Sequence, residues 1–482
     1  MQINTVNSPS LAIRKQTRVV MIWKFVEYVS LSLFAIVVPR AMGPDLYGRF
    51  AALLSFIGLL TMINGLGVLV MFGRFVPEYR VRGERLKIQV LFTQTFVVRV
   101  LFAILLGIVF LLFFPRLLPE VSTFTVMVGA WAFFLSASAA IFYQFFYGLN
   151  DLGKWLCQDS LLKILLLIGM LILEGTHSLD RAALALFLIQ LGFFLLGVFW
   201  TRTYFMFSKM NFDFSFLYEH LRFGLLFYSA NLLLMVVWRA GEIVILFFSG
   251  KNTEVAYFNI ANLIAMTVTV LISQLASMMN PSLTTLHISG KDRQAEEWLG
   301  YSLKYLTIAS FSFLIAIHTL GTWGVKMVWG DEYLPVVSNL KILTLGLLAV
   351  PLIRTGISLA ILHKQPNKVF WATATALAIF ILVASFIVPH RGSYGASVAI
   401  ALALWSAGVI TYYQSSLTFV LSVACYCRHI LIGFAVIGTL VLPSLPPVFT
   451  GLISTILYIS LLFLGKVMSA KDIRKIGQVL IT

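Results

Sequence analysis

The fold class this sequence predicts is an all-α polytopic membrane protein, and three observations predict it. Hydrophobic residues make up 60% of the 482 and charged residues only 11%, against about 25% charged in soluble domains. Stretches long enough to cross a bilayer, each roughly 20 mostly apolar residues, recur about fourteen times. Lys and Arg fall unevenly between the gaps. The alternating pattern of strands is absent, so the spans are helices, the remaining way to satisfy backbone groups in lipid.

The elements follow in chain order. The first span, 19–38, holds Lys24 and Glu27 and ends at Pro39-Arg40 without a small-x-small cleavage pattern, so it reads as a retained helix. Gly43 and Pro44 make a tight outer turn. The second span, 46–72, runs on to Pro77-Glu78 and the charged loop Arg82-Gly83-Glu84. The third, 89–114, carries Arg99 near its middle, and the fourth covers 121–147. The fifth, 155–174, and sixth, 182–205, are separated by Glu174, Asp180 and Arg181. The seventh, 222–248, contains Arg239 and Glu242, and the eighth, 255–280, opens at Tyr257 and runs to Pro281. The ninth, 300–328, and tenth, 335–362, flank Asp331-Glu332, and the tenth holds Lys341 and Arg354. The eleventh, 369–389, and twelfth, 394–420, flank Arg391. A final pair, 429–446 and 447–467, is divided only by Pro443, Pro446 and Pro447.

Sorting the basic residues orients the chain. One side holds 23 Lys and Arg, with Lys154 and Lys163 counted among them, and the other holds 7. Five more, Lys24, Arg99, Arg239, Lys341 and Arg354, lie inside spans. The positive-inside rule puts the richer side, and both termini, in the cytoplasm, as expected of a cell inner-membrane protein. The net charge of +16 is spread singly over short gaps. It forms no nucleic-acid face, and anionic lipid headgroups are its expected partners. Three cysteines exclude a disulfide scaffold. Cys425-Tyr426-Cys427 beside His429 does not have zinc spacing, so no metal or other cofactor is expected. No outer gap leaves room for a large extramembrane domain.

The second and eighth spans open alike. Tyr47-Gly48-Arg49-Phe50-Ala51-Ala52-Leu53-Leu54 lies on Tyr257-Phe258-Asn259-Ile260-Ala261-Asn262-Leu263-Ile264, with Tyr, Ala and Leu coinciding. The offset of six helices preserves orientation, which predicts parallel repeats. Two six-helix lobes, 1–205 and 210–420, are then followed by an extra pair and tail, 421–482.

Ionisable groups at membrane depth cost at least about 2.5–3.5 kcal/mol and mark functional positions. Lys24 and Glu27, and Arg239 and Glu242, are spaced i, i+3 and are expected to pair on one helix face. Lys24 lies about 9 Å in from the basic end, within reach of snorkelling. Arg99 is far from either interface. Together Arg99, Arg239, Lys24, Lys341 and Arg354 describe a cationic cavity suited to an anion, with Arg well shaped for phosphate. Glu27 and Glu242 stand as the only acids deep in the spans, candidates for carrying H+ or Na+. Asn64, Gln144, Gln190, Asn231, Asn259, Asn262 and Gln274 either line the same space or hydrogen-bond between helices.

Arg40-Ala41-Met42-Gly43-Pro44-Asp45-Leu46-Tyr47-Gly48 resembles the R-x-L-G-P-x-x-Y-G signature of the polysaccharide-transporter branch of the multidrug/oligosaccharidyl-lipid/polysaccharide (MOP) exporter superfamily, the O-antigen and exopolysaccharide flippases. Gly65-Leu66-Gly67, Arg74-Phe75-Val76-Pro77-Glu78, Tyr257 with Ala261, and Gly392-Ser393-Tyr394-Gly395-Ala396-Ser397 are similar to that family too. The resemblance implies two six-helix lobes around a central cavity. It implies movement of an undecaprenyl-pyrophosphate-linked oligosaccharide from the inner to the outer leaflet, without enzymatic chemistry, and contact with polysaccharide assembly proteins. Many members carry Asp in the seventh helix where this chain has Arg239-Ala240-Gly241-Glu242. A drug/cation antiporter of the same superfamily is the rival, disfavoured by five bases against two acids. An integral-membrane glycosyltransferase or polymerase is the rival from another class, disfavoured by the short outer loops.

Overall fold

The computed structural model describes residues 9–205, 213–288, 292–362, 365–416, 453–454, 456–458 and 460–461. The proposed spans 429–446 and 447–467 lie outside the described residues apart from the last fragments. So do Cys425, Cys427, His429, Lys209, Lys291, Lys364, Arg428, the basic residues beyond 462 and the Gln274 side chain. The described residues are almost all helical and contain no strand.

Helix length decides how often the chain crosses. Helix α1 (Pro9–Asn64) has 56 residues, about 84 Å at 1.5 Å per residue, against a hydrocarbon core of about 30 Å. It breaks at Gly43, with φ 72° and ψ 166°, a backbone region essentially restricted to glycine. Helix α13 (Pro366–Ser416) has 51 residues and breaks at Gly392, φ 52° and ψ −128°. Nine helices among the described residues are long and apolar enough to span, and a bent pair over Phe214–Arg239 adds a tenth. With α1 and α13 each long enough to cross twice, the described residues have the length and apolarity for twelve crossings.

The chain divides into two compact units, Met1–Ala256 and Tyr257–Thr482. The seventh span lies in the first unit, where it closely approaches α2 (Val68–Val81). Gly65-Leu66-Gly67 separates α2 from α1, with Leu66 at φ 47° and Gly67 at φ 71°. This breaks the second span, where an unbroken helix through residue 72 is expected. A Cβ on Gly67 would lie 2.3 Å from the Gly224 carbonyl carbon of α7 (Phe214–Arg239), so the two backbones touch there. Tyr228 of α7 donates to the Met62 carbonyl at 2.8 Å, taking up a carbonyl near the end of α1. Toward the basic end His220 Nδ1 donates to Phe216 O at 2.6 Å. Its Nε2 is therefore an acceptor in the neutral ring, and Tyr79 O–H donates to it at 2.7 Å. Burial, and then the Glu78 carboxylate, hold the Tyr79 hydroxyl above its ordinary pKa.

The other elements of the first unit are capped as their sequences dictate. Helix α3 (Arg85–Leu117) precedes α4 (Thr123–Gly148), whose first turn is capped by Ser122 Oγ accepting from Thr125 N at 3.1 Å. Asp151 caps α5 (Leu152–Ile172), and Asp213 caps α7. Helix α6 (Leu179–Thr201) ends in a 3-10 turn over Arg202–Tyr204. The core is aromatic: Phe72, Phe92, Phe142 and Phe145 are fully buried, with the Phe92 and Phe145 rings 4.4 Å apart. Helix α8 (Gly241–Ser249) follows α7, and α9 (Asn252–Ile288) begins in the first unit.

The second unit comprises the rest of α9, then α10 (Asp292–Trp329), α11 (Pro335–Leu347), α12 (Val350–Leu362) and α13. The tenth span is thus two helices joined at Leu348-Ala349. Small residues allow close packing on α13: a Cβ on Gly346 would lie 2.9 Å from Ala401 Cα, and one on Gly356 2.8 Å from Thr411 Cβ. Trp405 Nε1 donates to the Leu345 carbonyl at 3.0 Å, next to the break. The two segments matched in sequence bury corresponding positions, Phe50 with Ile260 and Ala51 with Ala261.

Candidate functional site

The charged side chains inside the spans fall into two kinds, those the protein satisfies itself and those it leaves open. Arg99 is the first kind. It is 1% exposed and makes no ion pair among the described residues. Its Nε donates to Asn64 Oδ1 at 3.0 Å and one terminal nitrogen to Gln144 Oε1 at 2.7 Å. Its other terminal nitrogen reaches the Ala137 carbonyl at 3.5 Å, and Asn64 Nδ2 donates back to the Arg99 carbonyl at 3.1 Å. Asn64 is available because α1 ends there, at the Gly65-Leu66-Gly67 break. Arg99 therefore ties α1, α3 and α4 together inside the unit.

The second kind gathers on α1, α5 and α7. Lys24 and Glu27 form an ion pair at 2.7 Å with both side chains half-buried. Helix α5 lies beside α1 and parallel to it, since Gly153 faces Val19 and Trp23 while Lys163 reaches Phe34. Asp151 starts α5 earlier than the expected span, which sets Lys163 three turns into the helix. Lys163 Nζ stands 4.7 Å from the Phe34 ring centroid, a cation–π contact, and feels the charge of Arg239. Neither Lys163 nor Arg239 has an acid partner among the described residues. One turn before Lys163, Asp159 is exposed, within electrostatic reach of Glu27 and then Lys24.

Two sequence expectations change. Asp159 joins Glu27 as a carboxylate of this group, so Glu27 and Glu242 are not the only acids deep in the spans. The signal available was Asp159 and Lys163 at i, i+4 on one face. Arg239 and Glu242 do not pair: α7 ends at Arg239, α8 starts at Gly241, and Arg239 is half-buried without an ion pair among the described residues. Glu242 is fully buried.

In the second unit, Lys341 on α11 is half-buried and within electrostatic reach of His318. Arg354 on α12 has a buried Nε without a hydrogen-bond partner among the described residues. No group of three or more His, Cys, Asp or Glu among the described residues is arranged to hold a metal.

No protein-family model matches this chain, and no curated protein matches it. Solved structures do. The chain is similar to a lipid II flippase, MurJ, in an inward closed conformation, at 15% identity, covering 93% of this chain and 100% of that one with a TM-score of 0.69. It is similar to an inward-facing multidrug resistance MATE transporter of the MOP superfamily, at 14% identity, 80% and 94% coverage and a TM-score of 0.63. It is similar also to a MOP superfamily transporter from Pyrococcus furiosus, reported for the reverse polarity of its binding pocket, at 15% identity, 85% and 94% coverage and a TM-score of 0.54. The fold is thus the MurJ/MATE transporter fold.

Proposed function

We propose that this protein flips a polyprenyl-pyrophosphate-linked oligosaccharide from the cytoplasmic to the outer leaflet for surface polysaccharide export, by alternating access and without enzymatic chemistry. The observation that carries this reading is the pair Lys163 and Arg239. Two cations on different helices, close enough to feel one another and lacking a protein acid, fit a ligand that brings two negative charges. A diphosphate supplies them in one group. Lys24 adds a third base in the same unit, and Lys341 and Arg354 are open cations of the second unit. Asp159 and Glu27 are the carboxylates through which an H+ or Na+ gradient would drive the cycle. The fold shared with a lipid II flippase over nearly the whole chain supports a lipid-linked cargo, and the basic loops support an inner-membrane protein with both termini in the cytoplasm.

The experiment is K163Q/R239Q, expressed at the normal level in the native host. Export of surface polysaccharide falls at least tenfold, and lipid-linked units accumulate facing the cytoplasm. Full export in that variant refutes the reading. A peptidoglycan precursor carries the same diphosphate, and complementation of a strain lacking its lipid II flippase separates the two cargoes.

Asp159 beside Glu27 favours a second reading, a cation or drug antiporter, because a cationic cargo needs exposed carboxylate. That reading expects D159N to abolish transport and K163Q/R239Q to spare it. The flippase reading expects both to fail, D159N by losing its response to a collapsed ion gradient.

A further inference from the structure

We propose that an open cavity at the basic end of the first unit binds the phosphate headgroup of an anionic phospholipid, held by Arg80, Arg85 and Lys154. The cavity has a volume of about 1170 Å³ and lies among the segments that follow α2, α4 and α6. It is distinct from the α1–α5–α7 charges: Lys24, Asp159, Lys163 and Arg239 do not line it.

Its chemistry is asymmetric. Three bases and one acid, Asp151, face it, which leaves two positive charges. The bases are held in different ways. Arg80 donates one terminal nitrogen to the Leu149 carbonyl at 2.9 Å, which fixes the guanidinium and leaves the rest of its fork for a ligand. Lys154 is paired with Asp151 at 3.0 Å and stands over the Phe146 and Trp200 rings at 5.0 and 5.6 Å. The Arg85 side chain is exposed and makes no hydrogen bond or ion pair among the described residues. Arg forks bind phosphate oxygens bidentately, and two forks on one cavity suit one phosphate group.

Depth and size select the source of the phosphate. The membrane span of α6 runs to Tyr204, so Trp200 and Tyr204 occupy its last turn. Aromatic residues at that position mark the bilayer interface, where headgroup phosphates lie. Inorganic phosphate or pyrophosphate would fill a small part of such a volume and would leave the aromatic wall uncovered. A phosphoglycerol headgroup brings the charge to the arginines and its glycerol and upper acyl carbons to Trp200, Tyr204 and Phe146. Bound there, the lipid cross-links the loops that begin α3 and α5 to the end of α6.

The test uses the full-length protein, purified in a neutral detergent and titrated with dioleoyl-phosphatidylglycerol or dioleoyl-phosphatidylcholine, with lipid adducts counted by native mass spectrometry. One phosphatidylglycerol binds tightly, and its affinity falls at least tenfold in R80Q/R85Q while phosphatidylcholine adducts are unchanged. Because Arg80 also holds the Leu149 carbonyl, R85E is the companion variant. It loses no protein contact and shows the same loss. Equal phosphatidylglycerol binding in wild type and R85E overturns the proposal. Displacement of the lipid by millimolar sodium pyrophosphate also overturns it, by making the cavity a soluble-phosphate site. Neither outcome bears on the transport reading, whose residues are not altered.

Discussion

Arg99 keeps its charge within the apolar interior by drawing on neutral oxygens. A hydrogen bond to a charged group contributes about 1.5–3 kcal/mol, so the bonds to Asn64 and Gln144 suffice to offset an insertion cost of about 2.5–3.5 kcal/mol. Replacing Arg99 by Met strands both amide oxygens in the core. The expected loss is about 2–5 kcal/mol, read as a lower melting temperature and aggregation in size-exclusion thermostability assays. A cargo-binding arginine would instead leave the melting temperature unchanged. Arg99 was conspicuous in the sequence as an intramembrane charge, but its partners were not, since Asn64 and Gln144 come from other helices and polar residues in spans are common. Asp159 and Lys163 both fall inside the expected span 155–174, where their i, i+4 spacing on one face is legible, and the Asp151 cap sets both of them deeper in the helix.

At the scale of elements, glycines decide where helices end, and their substitutions differ in kind. Gly43 has open space where a Cβ would be, so Gly43→Ala costs only the backbone strain of about 1–3 kcal/mol. Gly67 has both a positive φ and the Gly224 backbone against it. Gly67→Ala must therefore push α2 and α7 apart, and monodisperse protein is expected to fall well below that of Gly43→Ala at equal expression, as measured by fluorescence-detection size exclusion. Gly43-Pro44 was legible as a turn because local chemistry suffices to make one. The break at Gly65-Leu66-Gly67 and the split of the tenth span at Leu348-Ala349 were not, because apolar composition continues through both. What interrupts them is contact: α7 against α2, and Trp405 of α13 bonding the carbonyl of Leu345.

For the whole molecule, the uneven distribution of Lys and Arg makes an orientation test simple. Val81 is 89% exposed at the end of α2, and Lys251 is exposed between α8 and α9. In a background with Cys425 and Cys427 replaced by Ser, a membrane-impermeant maleimide is expected to label Lys251→Cys in intact cells. It should label Val81→Cys only after permeabilisation, and the reverse pattern inverts the topology. Fold class and the order of the first twelve crossings were readable because a bilayer imposes length and apolarity on every span. The contacts of the seventh span are not readable in this way: it meets the second through Gly67, Gly224, Tyr228 and His220, none of which stands out from composition.

The juxtaposition of Lys163 and Arg239 has an energetic corollary. Like charges within electrostatic reach of one another repel, and the more so where protein rather than water surrounds them. Whatever neutralises them acts as a removable keystone, and the loaded form must be the sturdier one. Pyrophosphate should therefore raise the melting temperature of the wild type and leave that of K163Q/R239Q where it was.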